Sequence, residues 1–229
     1  VPTPSNDNIS TYTFYSTLPG RIDYSGGCDS DNETAVGEDN NTVTFDALPD
    51  GTYEDCKISV TSSGVVSDNL SVNSFKIDTT APTLDNVTIA SNNDVTTLAK
   101  IGDRITLTFT SSEPIETPTV RIAGQNAQES GSGTSWSAYY DMRGIDSESE
   151  GLVSLSVSFD DTTGNAGIVV DNTTDGSAVL FDKTPPTVSQ VTAVPNPTND
   201  NTSSYTFNSN DAGTITYGGS CSSSSNDNI

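Results

Sequence analysis

The feature that most limits what this chain can become is a pair of internal repeats with two different spacings. "VPTPSNDNISTYTFYSTLPGRIDYSGGC" opens the chain and "VPNPTNDNTSSYTFNSNDAGTITYGGSC" begins at Val194, and the two align without a gap and agree at about half of their positions. Pro2 pairs with Pro195, Asp7 with Asp200, Phe14 with Phe207, Tyr24 with Tyr217 and Cys28 with Cys221, each pair 193 residues apart. A shorter phrase recurs inside that interval, as "SFKIDTTAPTL" at 74–84 and "LFDKTPPTVSQ" at 180–190, placing Asp78 and Asp182 104 residues apart. A phrase that returns at domain spacing marks a joint in a tandem array. The chain therefore divides into a unit of one type at 1–79, a unit of a second type at 80–183, and a partial second copy of the first type at 184–229.

Within each unit the apolar residues alternate. "ITLTFT" sets Ile105, Leu107 and Phe109 on one face, and "VSLSVSF" does the same with Val153, Leu155, Val157 and Phe159. "YTF", "TVTF" and "KISV" are shorter versions in the first unit. Alternation of period two is what a strand with one buried face requires. Gly, Asn, Asp and Pro punctuate these runs about every 8–12 residues, and no window holds a helical period. The expectation is an all-β chain built of sandwiches.

Only 31% of the 229 residues are hydrophobic, so the cores are expected to be small and a covalent staple matters. Cys28 and Cys56 fall in the first unit, while Cys221 is the counterpart of Cys28, and its partner would lie past Ile229. The expected arithmetic is one bridge, Cys28–Cys56, and one orphan, with two unrelated free thiols as the alternative. Zinc is disfavoured, because there is no histidine and no close cysteine pair. A bridge implies an oxidising, extracytoplasmic compartment. The first residue is not Met and both ends fall inside a unit, which suggests a piece of a longer array or halves completed by neighbouring molecules.

The formal net charge is −23, from 31 acidic and 8 basic residues. Without a cluster of Lys or Arg to displace phosphate counterions, nucleic acid is excluded as a partner, and anionic membrane surfaces are disfavoured. No run approaches the roughly 20 apolar residues of a spanning helix, so direct membrane insertion is not expected. What this much carboxylate suits is divalent cations or solubility in salty water.

Several phrases, "DTTAPT", "SSEPI", "DDTTGNAG" and "LPDGTY", taken in their order and spacing, resemble the bacterial immunoglobulin-like repeats of giant surface adhesins and other large extracellular proteins. The resemblance covers essentially the whole chain. It implies tandem immunoglobulin-like β-sandwiches, two units plus a partial third, in a secreted or cell-surface stalk, often with Ca²⁺ at the joints. "LPDGTYEDC" is similar to the tyrosine corner of such domains, in which a phenol ties back to the backbone at the entry to a central strand. The spacing from Tyr53 to Cys56 is one residue longer than the antibody pattern.

On that fold the linker residue Asp78 enters the second unit beside two of its loops. One follows strand B and carries Glu113; the other follows strand F and carries Asp160, Asp161 and Asn165. Carboxylates from three segments would converge there with the oxygens that Ca²⁺ prefers. Without a cation their proximity would cost repulsion. The second joint keeps Asp182 and Asp211, but the loop that would complete it lies past the end of the chain. The first unit has Leu18 and Val65 where such a site would need oxygens, so its outer joint is expected to be metal-free.

The leading functional expectation is structural: a segment of an extracellular stalk, adhesin or filament whose partners are neighbouring repeats or identical chains. A variant is a subunit of a polymer assembled by strand complementation. The competing class is a glycan- or protein-binding module, for which Trp136, Tyr139 and Tyr140 form the main aromatic cluster. Strand alternation predicts that the two tyrosines face opposite ways and Trp136 enters the core. Enzyme chemistry is not expected, since there is no histidine, no Cys-His pair and no phosphate-cradling loop. Glu148 and Glu150 lie in a polar run that reads as a solvated loop.

Overall fold

A computed structural model describes residues 1–35 and 37–223; residues 224–229, the end of the partial third copy, lie outside the described residues. Every regular element described is a strand. The chain forms two compact units, Val1–Phe181 and Asp182–Ile229.

The first unit opens with nine strands: β1 (Thr11–Ser16), β2 (Gly20–Ser25), β3 (Thr34–Ala35), β4 (Asp39–Thr44), β5 (Gly51–Tyr53), β6 (Lys57–Ser62), β7 (Val65–Val66), β8 (Leu70–Ser71) and β9 (Phe75–Ile77). β1 and β4 pair antiparallel, from Thr11 opposite Thr44 to Ser16 opposite Asp39. A second sheet has the order β3-β2-β6-β7, with β8 also on β6, and β5 pairs with β9. Alternation decides which side chains meet: Phe14 and Val43 from one layer bury against Ile22 and Ile58 from the other. Cys28 and Cys56 are bonded across this core with their Cα atoms 5.4 Å apart. Closing that loop stabilises the sandwich by roughly 3–4 kcal/mol on the chain-entropy account. The aromatic rings stack in a column, Tyr12 on Phe45, Phe45 on Phe75 at 6.2 Å, and Phe75 on Tyr53 at 5.1 Å. The Tyr53 hydroxyl donates to the Pro49 carbonyl at 2.7 Å, so the tie back to the backbone forms despite the longer spacing to Cys56.

Ten further strands follow: β10 (Leu84–Ser91), β11 (Leu98–Ala99), β12 (Arg104–Ser111), β13 (Thr119–Ile122), β14 (Gln125–Asn126), β15 (Gln128–Ser132), β16 (Ser135–Asp141), β17 (Gly151–Leu152), β18 (Leu155–Ser158) and β19 (Leu180–Phe181). The sheet β10-β12-β16-β15 packs over β14-β13-β18, and β11 runs parallel to β19, which also pairs with β17. This is the immunoglobulin-like arrangement, with one four-stranded sheet facing the central C and F strands. The core is built from the predicted alternating positions Ile105, Leu107, Phe109 and Val157, and Trp136 and Tyr140 join it. Tyr139 faces the other way, under the Arg104 guanidinium at 3.8 Å.

One expectation from the sequence is corrected here. Glu148 is not in a solvated loop; it is fully buried (0% exposed). Its carboxylate accepts from the Tyr140 hydroxyl at 2.6 Å and from the backbone N–H groups of Arg143 and Gly144 at 3.0 and 2.5 Å. A polar run can fold over its own acid when the loop's N–H groups satisfy it, and composition alone does not separate that from exposure.

The second unit holds β20 (Val188–Thr192) and β21 (Thr206–Ser209), paired antiparallel with Val188 opposite Ser209, Gln190 opposite Phe207 and Thr192 opposite Thr206. None of its described residues is buried.

Candidate metal centre at the joint

The joint between the two sandwiches of the first unit is assembled from three short segments. Asp78 follows β9 directly, and its N–H donates to the Ser5 carbonyl at 2.9 Å. Glu113 lies just past β12, where the Ser111 hydroxyl donates to the Glu113 carbonyl at 2.5 Å and closes the turn. Asp161 opens a tight turn after β18, and its carboxylate caps that turn by accepting the N–H groups of Thr163 and Asn165, each at 2.8 Å. Gly164 sits in the turn at φ +92°, a conformation that side-chain-bearing residues rarely adopt. A bridge between Ile115 and Asp161 ties the two loops together.

Carboxylate oxygens of Asp78, Glu113 and Asp161 lie within 4.8 Å of one another. Asp78 is 8% exposed and Asp161 1%, with Glu113 half-buried. The linker is also gripped through its backbone, because the Asn165 amide donates to the Asp78 carbonyl at 2.8 Å. Three carboxylates meet one cation, Lys76, whose ammonium donates to Asp78 Oδ2 at 2.7 Å. Burial, together with the charges of Asp78 and Asp161, pushes the Glu113 carboxyl above its ordinary pKa. Burial pushes Asp161 the same way, but the donors from Asn165 and Thr163 outweigh it and hold that carboxyl low. The hydrogen bond and charge of Asp78 raise Lys76.

The donor set is therefore all hard oxygen, carries more negative charge than its one lysine balances, and comes from loops, which fits Ca²⁺ in kind. Asp78, Glu113 and Asp161 would hold the ion by carboxylate oxygens, Lys76 giving up its bond to Asp78. Asn165 is already committed to the linker carbonyl and to Asp161. The structure does not bring Asp160 into the trio: its side chain is exposed, and its carbonyl accepts from the Glu116 N–H at 3.0 Å. Asp182 and Asp211, in the second unit, join no such cluster among the described residues. Asp182 instead accepts from the Thr184 N–H at 2.9 Å.

Sequence reasoning missed two residues of the joint. Lys76 lies two positions before Asp78 on the same strand face, a proximity visible only once β9 is known to be a strand. Asp50, which the sequence analysis did not single out, reaches the linker and accepts from Thr79 and Thr80.

These features define a class: an all-β protein whose immunoglobulin-like sandwiches are joined through an acidic, hydrogen-bonded linker. No family model matches the chain, and no curated protein matches it. Among solved structures it is similar to the D00-D0 domain of Intimin, at 14% sequence identity and a TM-score of 0.29, covering 80% of this chain and 97% of that one.

Proposed function

We propose that this chain is a structural segment of a bacterial extracellular stalk, adhesin or surface filament, in which Ca²⁺ stiffens the joint between successive sandwiches. The observation that carries this reading is the convergence of Asp78 from the linker with Glu113 and Asp161 from two loops of the next sandwich. A cation there would cross-link the linker to the domain it leads into and remove rotational freedom at the joint. The work is mechanical, with each unit contacting mainly its neighbours. The Cys28–Cys56 bridge supports a secreted or surface location. No catalytic step is assigned to the chain. The glycan-binding alternative loses its aromatic platform, since Trp136 and Tyr140 are buried in the core.

Thermal melts in millimolar Ca²⁺ and in chelator test the reading. An ion at 100 times its Kd adds about 2.7 kcal/mol, several degrees for sandwiches of this size. That gain should vanish in Asp78→Ala and in Asp161→Ala. Equal melting temperatures in Ca²⁺ and chelator would remove the cation from the account.

A further inference from the structure

Lys76 is the cation that the carboxylates of the joint share, and it reaches them from a fixed base. Its N–H donates to the Thr3 hydroxyl at 3.0 Å, and its carbonyl accepts from the Ser5 N–H at 3.0 Å. It also stands opposite Thr52 in the β5–β9 pair. The backbone of β9 therefore holds this side chain beside the joint whatever its ammonium does. That ammonium donates to Asp78 Oδ2 at 2.7 Å and lies in the field of Glu113 and Asp161 as well. The two partners differ in exposure, the Asp78 side chain being 12% exposed and the Lys76 side chain 53%. The acceptor is locked in the joint, while the ammonium has a path into water that breaks no backbone bond.

We propose that Lys76 is a tethered counter-ion of the joint. It occupies the carboxylates of Asp78, Glu113 and Asp161 when Ca²⁺ is absent, sets the Ca²⁺ concentration at which the joint loads, and keeps monovalent cations out. This rests on the cation-bound joint and names what regulates it. An ion held by those carboxylates stands about 2.3–2.6 Å from each donor oxygen. The ammonium, 2.7 Å from one such oxygen, contends for the same space, and like charges that close repel strongly. Loading with Ca²⁺ therefore requires Lys76 to swing out. Because the ammonium is tied to the chain, its local concentration is fixed by the tether and not by the solution. Dilution does not remove it.

Charge decides which ions can replace it. Three carboxylates against one ammonium leave the joint formally negative. A sodium ion brings the same single charge as the ammonium it would expel, and gains nothing by the exchange. A divalent ion brings twice that charge and gathers several oxygens at once, where the ammonium has only its three N–H donors. In a chain with 31 acidic and only 8 basic residues, a lysine falls beside the one cluster of three carboxylates found among the described residues.

The test is calorimetric titration of the full chain with Ca²⁺ at neutral pH and fixed ionic strength, alongside Lys76→Met, Lys76→Arg and Lys100→Met. Lys76→Met keeps the stem and loses the charge, and its Kd for Ca²⁺ should fall about fivefold or more, the upper end for an exposed ion pair. Lys76→Arg should stay near the parent. Lys100→Met removes an equal charge ahead of β12, at the end away from Glu113, and should leave Kd unchanged. On an Asp161→Ala background, Lys76→Met should bring no gain. In chelator at one ionic strength, exchanging choline chloride for sodium chloride should raise the melting temperature of Lys76→Met and not that of the parent. Parent binding that Lys76→Met fails to tighten, or that Lys100→Met tightens equally, overturns the proposal and leaves the cation-bound joint standing. A sodium effect equal in parent and variant does the same. Absence of Ca²⁺ binding in both the parent and Lys76→Met overturns the joint itself and the proposal with it. Lys76→Gln, equally neutral, repeats each comparison where Lys76→Met fails to fold.

Discussion

One oxygen of Asp50 accepts both donors of Thr79, the N–H at 2.9 Å and the hydroxyl at 2.7 Å, while its other oxygen takes the Thr80 hydroxyl at 2.6 Å. A turn at the base of the first sandwich thereby holds the first residues of the linker. On the far side, Asn165 of the second sandwich holds the carbonyl of the residue just before them. The joint is gripped from both domains before any cation is considered.

Asp50→Ala should loosen the joint without unfolding either sandwich. Small-angle scattering in chelator is expected to show a broader distribution of distances, with melting temperatures nearly unchanged. The Thr80 and Thr79 donors hold the Asp50 carboxyl below its ordinary 3.8. Its contribution is therefore complete above that value and lost as pH falls through the lower folded-state value. An Asp50→Ala profile as narrow as that of the parent at neutral pH would deny Asp50 this role.

Glu113 carries the opposite sign. Burial and the neighbouring charges raise its carboxyl above 4.5, so the folded chain binds that proton more tightly than the unfolded chain. Without cation, stability should fall as pH rises from 4.5 through the raised value. Glu113→Gln should raise the melting temperature in chelator at neutral pH and flatten that decline, while removing the gain from Ca²⁺. Asp161, held low, contributes stability above 3.8 that disappears as pH falls through its depressed value. Melts across pH 3 to 8, with and without Ca²⁺, separate the two groups.

Glu148→Ala leaves the Tyr140 hydroxyl and the Arg143 and Gly144 N–H groups without their acceptor. The cost is about 3 kcal/mol or more, as for several buried donors left unpaired, and it should fall on the second sandwich alone. Burial and then Glu148 push the Tyr140 phenol up to about 12. Ultraviolet titration of the variant should bring that value down, though not to the ordinary 10.0, because burial remains. A phenol unmoved by the substitution would show that Glu148 does not govern it.

The strands were legible because their alternation is local. Ile105, Leu107 and Phe109 announce a buried face whatever lies beyond them, and comparison of the chain with itself gave the repeat spacings. The acids of the joint were legible in part. Asp78, Glu113 and Asp161 were placed together by assuming a topology, whereas Asp160, adjacent to Asp161, differs from it only in which way its side chain turns. Strand periodicity does not carry into a tight turn, so nothing in "DDTTGNAG" distinguishes the two. Glu148 failed for a related reason: a carboxylate satisfied by its own loop has the same letters around it as one in water.

Sequence alone determined the all-β character, the repeat spacings and the pairing of Cys28 with Cys56 as the expected bridge, since each depends on period, identity or counting along the chain. Only the tertiary structure decided which oxygens meet at the joint, that Lys76 and Asp50 belong to it, and that Glu148 is buried. Those depend on how segments tens of residues apart are oriented once their shared faces are buried, and orientation is set by packing that no local stretch encodes.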